Sequence, residues 1–248
     1  FGYTNLAEHY HKQLLRLGLC PDVTDMDADW SRYSLLIIPA AMLMRQDYRD
    51  KMEAYARLGG HLVLTMRSGI KTWSGTVVTD APYPGLLADL AGIRIDEFEV
   101  LPPDATNNVS YGGKSYAIGC WLDMIDPDAP DTEVLATYTG KFYAGKAAIT
   151  RRPVGKGWVQ YIGVMDNEDL TLDALSDMTE ELGLDVQEMP EGLFRSQRQT
   201  ADGRYTFYLN FSAQASQVYV PRGQDALTGR AVEGEQSIAP LDLLIVKS

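Results

Sequence analysis

The stretch Ser34-Leu35-Leu36-Ile37-Ile38-Pro39, followed by Gly59-Gly60-His61-Leu62-Val63-Leu64-Thr65, decides the fold class. Each segment is a short apolar run bounded by turn residues, the pattern of a strand buried on both faces. Between them, Asp47 to Leu58 places Tyr48, Met52 and Tyr55 on one helical face, and Gly59-Gly60 supplies the stop signal. Strand, helix and strand in that order predict a right-handed crossover in a parallel sheet covered by helices on both faces.

Upstream, Leu6, Tyr10, Leu14 and Leu17 share one face of a helix over residues 5–17, which stops at Gly18. Leu19 to Val23 reads as a short strand, and Asp25-Met26-Asp27-Ala28-Asp29 as an acidic turn. Downstream, Leu86 to Ala91 is a short helix. Ala147–Thr150 and Trp158–Gly163 pair as a hairpin through the turn Val154-Gly155-Lys156-Gly157. A last helix over 168–182 is capped by Asp166 or Asn167 and ends at Gly183.

After Pro190 no helical period survives. Phe194–Gln199, Tyr205–Phe211, Gln217–Val220, Ser237–Ala239 and Leu243–Val246 are short β-type runs separated by turns such as Asp202-Gly203 and Arg222-Gly223. They predict a small antiparallel β domain, too small to be more than marginal alone.

The chain has 248 residues, enough for one large domain or two small ones. Its net charge of −12 argues against a phosphate-tracking nucleic-acid surface. No apolar run approaches the roughly 18 residues of a membrane span, so neither nucleic acid nor membrane is expected as a partner. The chain opens at Phe1 with neither Met nor a charged-then-apolar leader, which reads as a cut end. Cys20 and Cys120 are too few for a disulfide framework, so a reducing, cytoplasmic compartment is expected.

No catalytic constellation emerges from spacing. The turn Thr65-Met66-Arg67-Ser68-Gly69 stands where an α/β hydrolase carries its nucleophile, but the tip is Arg67 and Ser68 is one step off. His9, His11 and His61 all precede that turn. Arg67 and Ser68 are therefore expected to close the sheet end by hydrogen bonds or to meet a neighbouring domain. His9 and His11 point to different sides of a helix and read as exposed. Asp25, Asp27 and Asp29 mimic the start of a calcium loop, but Trp30 and Leu36 replace the required Gly and Glu. Gly155-Lys156-Gly157 lacks phosphate-loop spacing, and Asn108-Val109-Ser110 and Asn210-Phe211-Ser212 are glycosylation triplets of a kind common by chance. No residue is assigned a catalytic, cofactor-binding or metal-ligating role, and no cofactor is implied.

Several stretches together resemble the C-terminal half of glycoside hydrolase family 42 β-galactosidases. They are Tyr33–Pro39, Gly59–Gly69, Pro84–Ile93 with Asp96-Glu97-Phe98, Glu133–Tyr138, Tyr143–Thr150, Gly155–Gly163, Tyr208–Ser212 and Leu227-Thr228-Gly229. The resemblance implies an α/β fold like flavodoxin and class I glutamine amidotransferases over residues 1–188. That domain type builds homotrimers, and a small antiparallel β domain over 189–248 follows it.

In that family a catalytic barrel precedes both domains and holds the two catalytic Glu residues, so none can be carried onto this chain. A barrel alone takes about 250 residues. The amidotransferase nucleophile would fall at Arg67, with no His downstream. The fold also implies a first strand before the helix at 5–17, and none precedes it here. The resemblance thus implies a non-catalytic scaffold fragment of an enzyme of carbohydrate metabolism that hydrolyses terminal β-D-galactosides. Its expected partners are further copies of itself, three in all, and the barrel of the parent chain. Two alternatives belong to other classes. One is a sugar-binding module stacking on Trp73, Trp121 or Tyr143; the other is an amidotransferase-like hydrolase.

Overall fold

The computed structural model describes residues 2–165 and 167–248; Phe1, read above as a cut end, and Asp166, offered as a helix cap, lie outside them. In chain order the elements are helix α1 (Tyr3–Arg16), β1 (Leu35–Ile38), β2 (Leu43–Met44), helix α2 (Gln46–Arg57), β3 (His61–Thr65) and β4 (Lys71–Thr72). A 3-10 turn (Gly85–Leu87) leads into the short helix α3 (Ala88–Ala91). The strands β5 (Ile93–Val100), β6 (Asn107–Tyr111), β7 (Lys114–Pro127), β8 (Glu133–Tyr138), β9 (Ala147–Val154), β10 (Gly157–Ile162) and β11 (Val164–Met165) follow. Helix α4 (Glu168–Glu181) precedes β12 (Leu193–Thr200), β13 (Gly203–Asn210), β14 (Ser216–Asp225), β15 (Ala231–Ile238) and β16 (Leu243–Lys247).

The contacts divide the chain into two units, the first seven residues with Thr24–Leu170, and Glu8–Val23 with Thr171–Ser248. In the first unit a nine-stranded sheet runs β1-β3-β10-β9-β8-β6-β7-β11, with β5 paired to β7. Within this sheet β3 pairs in parallel with β1 and β10, and the other pairings among the described residues are antiparallel; β2 and β4 form a separate parallel pair. The expected parallel sheet is therefore a mixed sheet. The crossover through α2 makes β1 and β3 parallel as predicted, whereas the tight turn at Gly155 folds β10 straight back along β9.

Glycine is required beside that turn. A Cβ at Gly157 would lie 1.9 Å from the carbonyl oxygen of Gly60, so the start of β10 meets the backbone after α2 at a separation only glycine allows. Leu62 and Leu64 of β3 and Val159 and Tyr161 of β10 are buried in one core with Met52, Tyr55 and Ala56 of α2, and Val63, between the two leucines, is buried as well. β1 alternates half-buried and buried residues instead of being buried throughout, because it is an edge strand with one neighbour.

The predicted strand Leu19–Val23 is absent. These residues are irregular and Val23 is 89% exposed, because no neighbouring strand pairs with them. Conversely, β5 to β8 and the two-residue strands β2, β4 and β11 were not predicted. In the second unit the five predicted β runs each coincide with a strand of a five-stranded antiparallel sheet ordered β12-β13-β16-β14-β15, except that Phe211 and Ala239 lie one residue beyond β13 and β15. Its core is built from Leu193, Tyr208, Val218, Val220, Val232, Ile238, Leu244 and Val246. Asn167 caps α4: its side-chain oxygen accepts from the Leu170 N–H at 2.7 Å.

Candidate functional site

In open α/β sheets, ligands are held beyond the carboxyl ends of the parallel strands. Here β3 and β10 end at Thr65 and Ile162, and the Met66 N–H donates to the Ile162 carbonyl. The next residue, Arg67, adopts a left-handed backbone with φ of 65°. That conformation is costly for a side-chain-bearing residue, and it turns the chain sharply off the sheet. The turn is anchored on both sides. Thr65 Oγ1 accepts from the Ala40 N–H at 2.8 Å, and Ser68 Oγ from the Ala41 N–H at 3.2 Å. Arg67 and Ser68 thus close the sheet end by hydrogen bonds, one of the two roles expected for them.

The Arg67 N–H donates to the hydroxyl of Tyr83, which opens onto a cluster absent from the sequence reading. Asp123, in the middle of β7, is fully buried. Its Oδ1 accepts from Trp121 Nε1 at 2.8 Å, and its Oδ2 lies 2.8 Å from the Tyr161 hydroxyl and 3.1 Å from that of Tyr83. The two tyrosine oxygens are 2.9 Å apart. The Asp123 N–H donates to Gly163 and its carbonyl accepts from the Tyr138 hydroxyl.

Burial pushes the Asp123 carboxyl up to about 6, against the opposing pull of the Trp121, Tyr161 and Tyr83 donors and of the Arg67 charge. Burial, and then the Asp123 charge, hold the Tyr83 and Tyr161 hydroxyls well above the ordinary tyrosine range. The Arg67 guanidinium carbon lies 4.6 Å from the Trp121 ring centre, and Phe98 stacks on the same indole at 4.5 Å. Asp123 is the one carboxylate among these contacts. The close pair of acids that retaining glycoside hydrolysis requires is not assembled here.

The other residues singled out from sequence sit elsewhere. Tyr143, weighed as a sugar platform, is buried. Its ring packs edge-on against Tyr138 at 5.1 Å, and its hydroxyl donates to Glu99, whose carboxylate is held low first by Lys141 and then by Tyr143. Trp121 is half-buried, with Phe98 and Arg67 upon it. Trp73 is 54% exposed, set edge-on to Tyr48 with the Arg45 guanidinium over the ring. His9 and His11 are half-buried instead of exposed, and His9 Nε2 lies 2.8 Å from Thr171 Oγ1.

Asp25 and Asp29 cap the N–H groups of Asp27, Ala28 and Ser31, the turn role predicted for them. Gly155 and Lys156 form the β9–β10 turn. Asn210 is buried, and its amide donates to the carbonyls of Gln214, Ile238 and Ala239, whereas Asn108 is exposed. Among the described residues no group of three His, Cys, Asp or Glu side chains converges as a metal site would need. Nor is any helix among them long and apolar enough to cross a membrane. A cavity of about 580 Å³ lies beside the 67–84 loop, lined among others by Arg49, Lys71, Thr72, Asp80 and Asp89.

One signal in the chain marks the cluster. In Trp121-Leu122-Asp123-Met124-Ile125 a lone carboxylate interrupts an apolar run, and a buried charge demands donors. The tyrosines that answer it come from 40 residues upstream and 38 downstream, a distance no local pattern bridges.

Comparison with known proteins adds the following. The family model described as a β-galactosidase trimerisation domain matches residues 1–185, and that of a β-galactosidase C-terminal domain matches 192–248. The chain is 28% identical to β-galactosidase Pbg of Clostridium perfringens, covering 99% of this chain and 37% of that protein. It is 32% identical to β-galactosidase LacA of Lactobacillus acidophilus over 68% of this chain and 25% of that one. The solved β-galactosidase of Bacillus circulans sp. alkalophilus superposes with a TM-score of 0.90 at 26% identity, over 100% of this chain and 38% of that structure. The chain thus spans about a third of the length of most of these relatives.

Proposed function

The chain belongs to the glycoside hydrolase family 42 β-galactosidases, whose trimerisation and C-terminal domains it carries, and from that premise we propose that it is the non-catalytic assembly scaffold of such an enzyme. The whole protein would hydrolyse terminal β-D-galactosides in the cytoplasm with acids supplied by a barrel outside this chain. The present domains would hold three copies together so that neighbouring barrels shape one another's active sites.

One observation carries the reading. The strand-end position where this fold would place a nucleophile holds Arg67, and the polar groups behind it are engaged with one another around Asp123. Such a site anchors a loop; it presents no attacking group. We place the division between the trimerisation-type domain and the β domain at residues 188 and 189, between the two matched regions.

Light scattering on the purified chain tests the proposal. A particle near three times the 27.5 kDa chain mass is expected, with no turnover of a nitrophenyl β-galactoside above a contamination control. A strict monomer at high concentration, or turnover that survives further purification, overturns it. A second reading, a sugar-binding surface, has Trp73 in its favour, since that ring is 54% exposed. Heat on titration with galactose, abolished by Trp73→Ala, would favour it over the scaffold.

A further inference from the structure

Asp123 Oδ2, the Tyr83 hydroxyl and the Tyr161 hydroxyl form a closed triangle with edges of 3.1, 2.9 and 2.8 Å. All three edges are within hydrogen-bond distance, so each calls for a hydrogen. Two tyrosines supply two. With Asp123 ionised, one edge is left with two oxygens facing each other without a proton, beside a carboxylate that is itself fully buried although Tyr83 is only half-buried. A proton on Asp123 supplies the third. Each oxygen then donates once around the ring, while Trp121 Nε1 still donates to Oδ1 and the Arg67 N–H to Tyr83.

The triangle is also a mechanical join. Asp123 and Tyr161 belong to β7 and β10 of the sheet, whereas Tyr83 closes the 67–84 loop, whose first N–H is bound to the same hydroxyl. That loop contributes Gly69, Lys71, Thr72, Val78, Asp80 and Pro82 to the wall of the 580 Å³ cavity. We propose that the Asp123–Tyr83–Tyr161 triangle is a proton-gated latch, which holds both ends of the 67–84 loop against the sheet while protonated and loosens them when the proton leaves.

The groups facing it are Arg67 from the turn after β3, Trp121 from β7 itself, Tyr138 from β8, Tyr161 from β10 and Tyr83 from the loop. The Arg67 charge opposes protonation, but the burial of Asp123 outweighs it and pushes the carboxyl up to about 6. Solvated Asp titrates near 3.9. Opening of the latch therefore becomes easier as pH rises from about 4 to 6 and levels off above that.

Side-chain carboxyl carbon NMR of the 248-residue chain tests this directly. The Asp123 signal, assigned by its loss in Asp123→Asn, is expected to titrate near pH 6; a midpoint near 4 overturns the proposal. Hydrogen exchange supplies a second readout at the Arg67 amide. Corrected for intrinsic rate, its protection is expected to fall about tenfold between pH 5 and 7, and to stay flat in Asp123→Asn, whose amide supplies a permanent donor. The same pH dependence in both proteins refutes the latch. Should the variant not fold, the wild-type midpoint, assigned through backbone correlations, still decides.

Discussion

Replacing Tyr161 by Phe removes one oxygen from a fully buried site and little else, so its cost can be worked from the geometry. The lost hydroxyl donates to Asp123 at 2.8 Å. A hydrogen bond to a charged acceptor is worth about 1.5–3 kcal/mol, and one between neutral groups about 1. The sign of the pH effect follows from the native carboxyl lying near 6, above the unfolded value. Stability from such a group is fully present at acid pH and is lost as pH climbs through the native value. Deleting a donor to the anion raises that native value further, so Tyr161→Phe loses additional stability above pH 6. The expected cost is about 1 kcal/mol at pH 5 and about 2–3 at pH 7.5. Urea unfolding followed by tryptophan fluorescence is the assay, because Trp30, Trp73, Trp121 and Trp158 all lie in the first unit. With a slope of about 2 kcal/mol/M, the midpoint falls by about 0.5 M at pH 5 and by 1 M or more at pH 7.5. Equal shifts at both pH values would refute the account of Asp123 as the titrating partner.

Asn210→Ala removes an amide that donates to three backbone carbonyls at 2.8–3.1 Å, and circular dichroism melts should show the second unit destabilised by about 2–4 kcal/mol. Gly157→Ala drives a methyl to within 1.9 Å of the Gly60 carbonyl oxygen, so soluble yield and Trp158 fluorescence should report loss of the native β3–β10 pairing or more than about 3 kcal/mol of strain. Expressed through a glycosylating secretory route, the folded chain should carry glycan at the exposed Asn108 and none at the buried Asn210, as peptide mass mapping would read.

Periodicity decides structure where each residue's environment is set by its own element. The helix α2 stripe of Tyr48, Met52 and Tyr55 and the apolar run of β3 are of this kind, whereas β1 forms the predicted strand but, at the sheet edge, is buried only at alternate residues. β7 is not. Its burial changes along its length, from alternating near Lys114 to continuous over Leu122–Ile125, because it pairs with β6, β5 and β11 over different stretches. A strand whose two faces change partners has no single period. The Gly112-Gly113 pair, both at positive φ, does carry the hairpin signal that joins β6 to β7. Leu19–Val23 fails for the opposite reason: a suitable composition without a pairing neighbour makes no strand.

By itself the sequence determined the kind of chain this is: an acidic α/β body followed by a β module, with Arg67 where a nucleophile would have to stand. These are local facts, written in charge, period and the identity of one turn residue. Only the tertiary structure decided that the sheet turns antiparallel beyond β10 and that Asp123, Tyr83 and Tyr161 share one proton-hungry site. Strand direction depends on how tightly the chain turns back against another element, and the carboxyl's affinity for protons on how completely distant side chains exclude water from it. Both are properties of three-dimensional packing, and no window of neighbouring residues contains them.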